Sequence, residues 1–359
     1  MEAKNTLWSM METELLKIKT KHRYTSISEA LDDEKECCKI IDDILQSKIY
    51  EHSEDNMKLP GVTQNRARHI LITYLLGIVF GKFCDFDREL ENLGRKLSNH
   101  WNAGNLWTLT ALYHDYGYYL KDLKNSQYQF DLIKPNIFGD ISLFEASKRN
   151  AVMAYTIEEI REYDLVKRKM QQNYDEEKID HGIFGGTKAY AALKKKKIYP
   201  DDCVMGVALT IMQHNIFKSS SADDDKKYYQ GLKRLQHDSD FIIMMHTPLL
   251  LFLALIDTVE CTKKFSTKKK NDKYLFTKTV LSSIVVDVKR EYIGIDFSIL
   301  HDRIARKESQ MLTTAYDEYL NNIENLCKWT EFTVTIDKDD KCVIRHGDAK
   351  NNRGEKEAS

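Results

Sequence analysis

Six polar side chains stand inside apolar runs where a packed helix has little use for them. His114 and Asp115 come late in Asn105 to Leu120 (NLWTLTALYHDYGYYL), directly after Leu109, Ala111, Leu112 and Tyr113. His69 lies in RARHILITYLL, His181 in IDHGIFGG, His214 in VALTIMQHNIF and Asp257 in LFLALIDTVE. A buried imidazole or carboxylate loses its hydration and needs a strong partner to offset that loss. For an imidazole and a carboxylate side by side, a cation is such a partner. One residue of this kind reads as a hydrogen-bonded core residue. Five separate apolar segments that each carry one form a pattern.

The dipeptide His-Asp alone carries almost nothing. It occurs three times, and His237-Asp238 (in RLQHDSDF) and His301-Asp302 sit in charged surroundings that suit solvated or capping pairs. The other seven histidines, His22, His52, His100, His237, His246, His301 and His346, read as ordinary, although His246, two residues before Pro248, could be an extra ligand or substrate contact. The seven cysteines form an odd set with no CxxC pair, which argues against a disulfide framework and against a structural zinc site. No Ser or Cys has the context of a nucleophile.

These residues need helices to carry them, and the composition supplies helices. The chain has 359 residues, 42% of them hydrophobic, with only 4 prolines and 15 glycines, which disfavours a sandwich, a barrel or a low-complexity chain. The 54 Lys+Arg balance 55 Asp+Glu at a net charge of -1, so nothing global marks a nucleic-acid coat or an acidic tail. The first sixteen residues do not read as a secretory signal. Phe241 to Val259 is apolar but holds His246, Pro248 and Asp257, which suits a buried helix better than a membrane span. A cytoplasmic protein of a reducing compartment, with no membrane partner, is the expectation.

Hydrophobic periodicity predicts an amphipathic helix over Ile27 to Ile49, capped by Ser26 or Ser28, within an N-terminal helical extension of residues 1–60. Five helices then follow, over Arg66 to Phe83, Asn105 to Leu120, Ile179 to Lys194, Asp202 to Phe217 and Pro248 to Thr262. Past residue 274 the pattern changes. Ser282 to Arg290 with Tyr292 to Phe297, and Glu331 to Asp337 with Lys341 to Arg345, read as two hairpins flanking a helix over Leu300 to Trp329. The expected architecture is mainly α: a helical bundle over 61–274, a small ββαββ appendage over 275–347 and a disordered tail over 348–359.

The ordered set His69, His114-Asp115, His181, His214 and Asp257 resembles the HD-domain superfamily of metal-dependent phosphohydrolases, over roughly residues 61 to 265. The likeness extends to Arg66 three residues before His69, to Leu75-Leu76-Gly77 after it, to Trp107 seven residues before the His-Asp pair, and to the run Pro248 to Asp257. It implies an HD-type bundle of about five helices and two divalent ions. His69, His114, Asp115 and Asp257 would hold the first ion, and Asp115, His181 and His214 the second, with Asp115 bridging because a carboxylate has two oxygens to share. Nitrogen and oxygen donors without thiolates suit Mn, Fe, Co, Ni, Zn or Mg. The implied activity is hydrolysis of a phosphoester in a nucleotide, cyclic nucleotide or short oligonucleotide, by a metal-bridging hydroxide that attacks phosphorus in line.

One departure matters. Many family members read His-Asp-x-Gly-Lys, with the lysine on a substrate phosphate, whereas this chain reads His114-Asp115-Tyr116-Gly117-Tyr118. Arg66, Lys121 or Lys124 would have to supply the charge, with Tyr118 and His246 as further substrate contacts. The alarmone-hydrolase and cyclic-dinucleotide signatures are absent. Lysine clusters at 194–197 and 263–273 follow two of the ligand helices; they read as solvated helix ends, or as an anion-attracting rim if they fold over the site. Two other readings share the ligand order or dispense with catalysis: a di-iron oxygenase of the same fold, and a catalytically silent, metal-stabilised sensor or interaction module.

Overall fold

A computed structural model describes residues 6–18, 26–32, 34–48, 64–81, 85–97, 102–118, 181–195, 201–214, 248–260, 278, 280–287, 292–296, 310–330, 332–336 and 341–346. Ten α-helices and four strands lie within them: α1 Leu7–Lys17, α2 Ile27–Asp32, α3 Glu34–Lys48, α4 Gln64–Phe80, α5 Phe86–Leu97, α6 Ala103–Tyr113, α7 His181–Lys195, α8 Asp201–Gln213, α9 Pro248–Val259, β1 Ile284–Asp287, β2 Tyr292–Asp296, α10 Gln310–Trp329, β3 Phe332–Ile336 and β4 Lys341–His346. The chain is therefore mostly helical, with one small antiparallel sheet near its C-terminus. No helix among the described residues is long and apolar enough to cross a membrane.

Local chemistry explains most of the boundaries. Thr6 and Asn102 cap α1 and α6, their side chains accepting from the amides of Ser9 and Asn105. Pro248 opens α9, where a missing amide hydrogen costs nothing. Ser26 caps α2 by accepting from the Glu29 amide at 3.2 Å. The single helix expected over Ile27 to Ile49 is instead two, α2 and α3, and the helix expected over Asn105 to Leu120 stops at Tyr113. There the chain turns: the amides of Tyr116 and Tyr118 donate to the carbonyls of Tyr113 and Asp115, each three residues back, at 3.0 Å. The helices expected to reach Phe217 and Thr262 end at Gln213 and Val259. Helix α5 was not foreseen.

The two predicted hairpins form and join. Strand order is β1-β2-β4-β3, all antiparallel, because β2 pairs with β4 through Ile293–Ile344 and Ile295–Cys342. Ile284, Ile293, Ile295, Phe332, Cys342 and Ile344 are buried on one face, while Thr335 and Arg345 are exposed on the other. Burial pushes the thiols of Cys327 and Cys342 up to about 12, which disfavours the thiolate at both; Cys342 is buried in the core and Cys327 is partly buried against it.

Buried residues from α1 through β4 form one hydrophobic cluster. Its centre is aromatic, with Phe252 between Trp107 and Phe86 at ring-centroid separations of 4.6 and 4.5 Å. The Trp107 indole donates to the Tyr74 carbonyl at 3.0 Å and occupies the space that a Cβ on Gly77 would need. This ties α6 to α4. The N-terminal helices brace α4 as well: Arg68 donates to the Leu31 carbonyl at 2.8 Å and pairs with Glu34 at 3.0 Å. On the far side, Tyr319 of α10 donates its hydroxyl hydrogen to the Val259 carbonyl at 2.9 Å, which pins the last turn of α9.

Candidate metal centre

The six residues singled out in the sequence converge from five helices. His69 projects from α4. His114 and Asp115 follow α6 in the turn that ends it. His181 is the first residue of α7, His214 follows α8, and Asp257 lies in the last turn of α9. His69, His114, Asp115, His214 and Asp257 are all at most 6% exposed, and the His181 side chain, at 15%, is the most open of the six.

Asp115 is the hub. Its Oδ2 lies 3.4 Å from His69 Nε2, and its Oδ1 lies 3.6, 3.7 and 4.0 Å from the Nε2 atoms of His114, His181 and His214. Asp257 Oδ1 stands 3.2 Å from His69 Nε2 and 3.8 Å from His114 Nε2. Two groups of three could each hold a metal ion: His69, His114 and Asp115, and then Asp115, His181 and His214, the donors within each group lying within 4.8 Å of one another. Asp115 belongs to both.

The hydrogen bonds on the outer ring nitrogens set the tautomers. Nδ1 of His114 donates to the Ala111 carbonyl at 2.7 Å, and Nδ1 of His214 donates to the Ile211 carbonyl at 2.6 Å. Nδ1 of His69 donates to the Glu260 carboxylate. With its hydrogen on Nδ1, each neutral ring points an Nε2 lone pair inward. His69 Nε2 and His114 Nε2 are 3.0 Å apart, so two lone pairs face one another beside two carboxylates. A metal ion held by both nitrogens and the neighbouring carboxylates could relieve that opposition. The spacing agrees: donors about 2.1 Å from a shared ion lie about 3.0 to 3.4 Å from each other. His69 keeps that spacing to His114 and to Asp115, at 3.0 and 3.4 Å, while the His114–Asp115 distance is 3.6 Å and Asp115 lies 3.7 and 4.0 Å from His181 and His214.

Arg66, one turn before His69, reaches Asp115 Oδ2 at 3.6 Å and holds its guanidinium carbon 3.5 Å from the centre of the Tyr118 ring. Tyr118 in turn stacks on His181, with centroids 3.8 Å apart. This stack sits on the more open side of the centre, since the Arg66 side chain is 24% exposed. Of the other expected contacts, Lys121, Lys124 and His246 fall outside the described residues, as do the lysine cluster at 263–273 and the 348–359 tail. Lys194 lies back along its own helix, its Nζ 3.1 Å from the Tyr190 hydroxyl oxygen.

Glycines permit the crowding. A Cβ on Gly117 would overlap the His181 carbonyl oxygen and come within 2.7 Å of the Gly185 amide nitrogen, so the His-Asp turn lies directly against the start of α7. Gly186 abuts the Ala208 carbonyl of α8 in the same manner. The Gly185-Gly186 pair thus serves close helix packing.

Sequence reasoning missed Glu260, which is 3% exposed and sits one turn beyond Asp257 on the same side of the chain. The available signal was a carboxylate at i+3 from a ligand candidate, at the end of a helix otherwise apolar. No family model matches this sequence, and neither the curated proteins nor the solved structures include a significant match.

Proposed function

We propose that the chain carries an HD-type dinuclear metal centre and works as a metal-dependent phosphohydrolase on a phosphoester, in a nucleotide, a cyclic nucleotide or a short oligonucleotide. The observation that carries this reading is the shared carboxylate: Asp115 joins two buried donor groups, and the Arg66 cation stands beside it on the open side. Bound divalent ions would activate water near neutral pH and polarise the phosphoester.

The chain's own residues do the rest. His69, His114 and Asp257 fix one side of the site, and His181 and His214 the other, with the rings of His69, His114 and His214 oriented by their outer hydrogen bonds. Burial of Asp115 keeps bulk water from screening the charges gathered there. Arg66 offers planar donors suited to a phosphoryl oxygen. Tyr118 supports the guanidinium from below and the His181 ring from the other side, so the aromatic residue that stands where related sequences carry lysine would orient a cation instead of being one.

The test is metal analysis of the purified chain, followed by an anaerobic panel of nucleotides, cyclic nucleotides and dinucleotides with Mn²⁺. Release of phosphate or nucleoside monophosphate is the expected result. Inertness across substrates and metals would overturn the hydrolase reading, and iron content with oxygen uptake would replace it with an oxygenase. On the substrate found, Arg66→Ala is expected to lower kcat/KM about 100-fold, the scale of one lost donor to developing charge, with metal content unchanged.

A further inference from the structure

The three histidines whose outer nitrogens are defined do not have equivalent partners. His114 and His214 donate to peptide carbonyls three residues back in their own helices. His69 donates to a carboxylate that is itself buried, the Glu260 side chain being 1% exposed. A buried carboxylate is costly without a charged or strongly polar partner, so its placement calls for an explanation. Glu260 is held from the backbone side too: its amide donates to the Ile256 carbonyl at 2.8 Å, and the preceding carbonyl accepts from Tyr319.

We propose that Glu260 is a positioning residue of the metal centre, which locks the His69 ring and makes the His69 group the tighter of the two ion-binding groups. A carboxylate on Nδ1 makes the imidazole a stronger donor at Nε2 than a peptide carbonyl does. Among the described residues, Asp115, Asp257 and Glu260 all touch His69, whereas the His181–His214 group shares in Asp115 and includes His181, the most exposed of the six. One ion is therefore retained from within, and the other exchanges through the side of the site that Arg66 and Tyr118 border.

This inference rests on the metal-centre reading, and one experiment separates the two. The full chain is stripped with chelator, and Zn²⁺ is titrated back in competition with a chromogenic chelator. Wild type is expected to take a tight and a weaker equivalent. Glu260→Ala should weaken the tight one about 10- to 100-fold and leave the weaker one in place. Glu260→Gln, which has the same shape and still accepts from Nδ1 but lacks the charge, should fall between. His181→Ala should do the reverse and remove the weaker equivalent alone. Two wild-type affinities unchanged in both Glu260 variants, equal losses at both sites, or a single class of site in the wild type would overturn the inference and leave the metal centre standing. A wild-type chain that takes up no Zn²⁺ would overturn both.

Discussion

Asp115→Ala protein, purified and dialysed, is expected to hold no tightly bound divalent ion. Its turnover of any phosphoester that the wild type cleaves should fall at least about 1000-fold, equivalent to about 4 kcal/mol. The size follows from position. Asp115 contributes to both donor groups, and its two oxygens face four histidines and Arg66. Deleting it removes the shared charge from both ion sites and leaves the Arg66 guanidinium facing the imidazoles. Asp115→Asn is the more discriminating variant, because it fills the same space with a neutral amide. It should remain folded by circular dichroism and still lose the metal. Wild-type metal content by elemental analysis in either variant would sink the assignment of Asp115 as the bridge.

Gly117→Ala should be the most damaging change of one methyl group near the site. The new Cβ would collide with backbone, namely the His181 carbonyl and the Gly185 amide, and backbone at a helix start cannot step aside as a flexible side chain can. Overpacking of this kind costs about 1 to 3 kcal/mol and sometimes more. Because the collision pushes α7 away from the His-Asp turn, His181 should lose its place before His69 does. Thermal unfolding should show the lost stability, and zinc titration should show the weaker equivalent disappearing first. Gly104→Ala is the control. Gly104 is exposed in the first turn of α6, and its Cβ would meet nothing closer than the Asn102 side chain at 3.2 Å. If Gly117→Ala were as harmless as Gly104→Ala, the close contact between turn and helix would not position the site.

The convergent polar set was legible because helices tolerate polar interruptions poorly. Each of His69, His114, His181, His214 and Asp257 breaks an apolar run, and each stands in a described helix or directly after one. Helix ends were less legible. Aromatic residues continue past Tyr113 at Tyr116 and Tyr118, so the sequence pattern does not mark the point where the helix gives way to a turn with bonds three residues back. Between Ile27 and Ile49 the periodicity runs on from α2 into α3, so a period alone could not divide them. Helix α5 was lost among its charges, although Phe86 and Leu90 are buried. Both hairpins were readable from alternation and turn residues. Their union through β2 and β4 was not, because pairing between hairpins depends on contacts about 50 residues apart along the chain. Glu260 was hidden for a similar reason: a glutamate after the last turn of a helix looks like an ordinary polar end until His69 is placed beside it.

That last contact differs from the others in how it comes to exist. The rings of His114 and His214 are anchored across three residues, so their orientation is settled as soon as α6 and α8 end. The ring of His69 is anchored across 191 residues and has no orientation until α9 has docked. A ligand that binds only the native state stabilises it by an amount that grows with its concentration, about 2.7 kcal/mol at one hundred times Kd. At this centre the stabilisation would act on the least local closure among the ligand helices, joining α4 to α9. Metal would then serve as a clasp on the chain's topology, and depletion of the ion would loosen the connection between the two ends of the bundle before it disturbed either end.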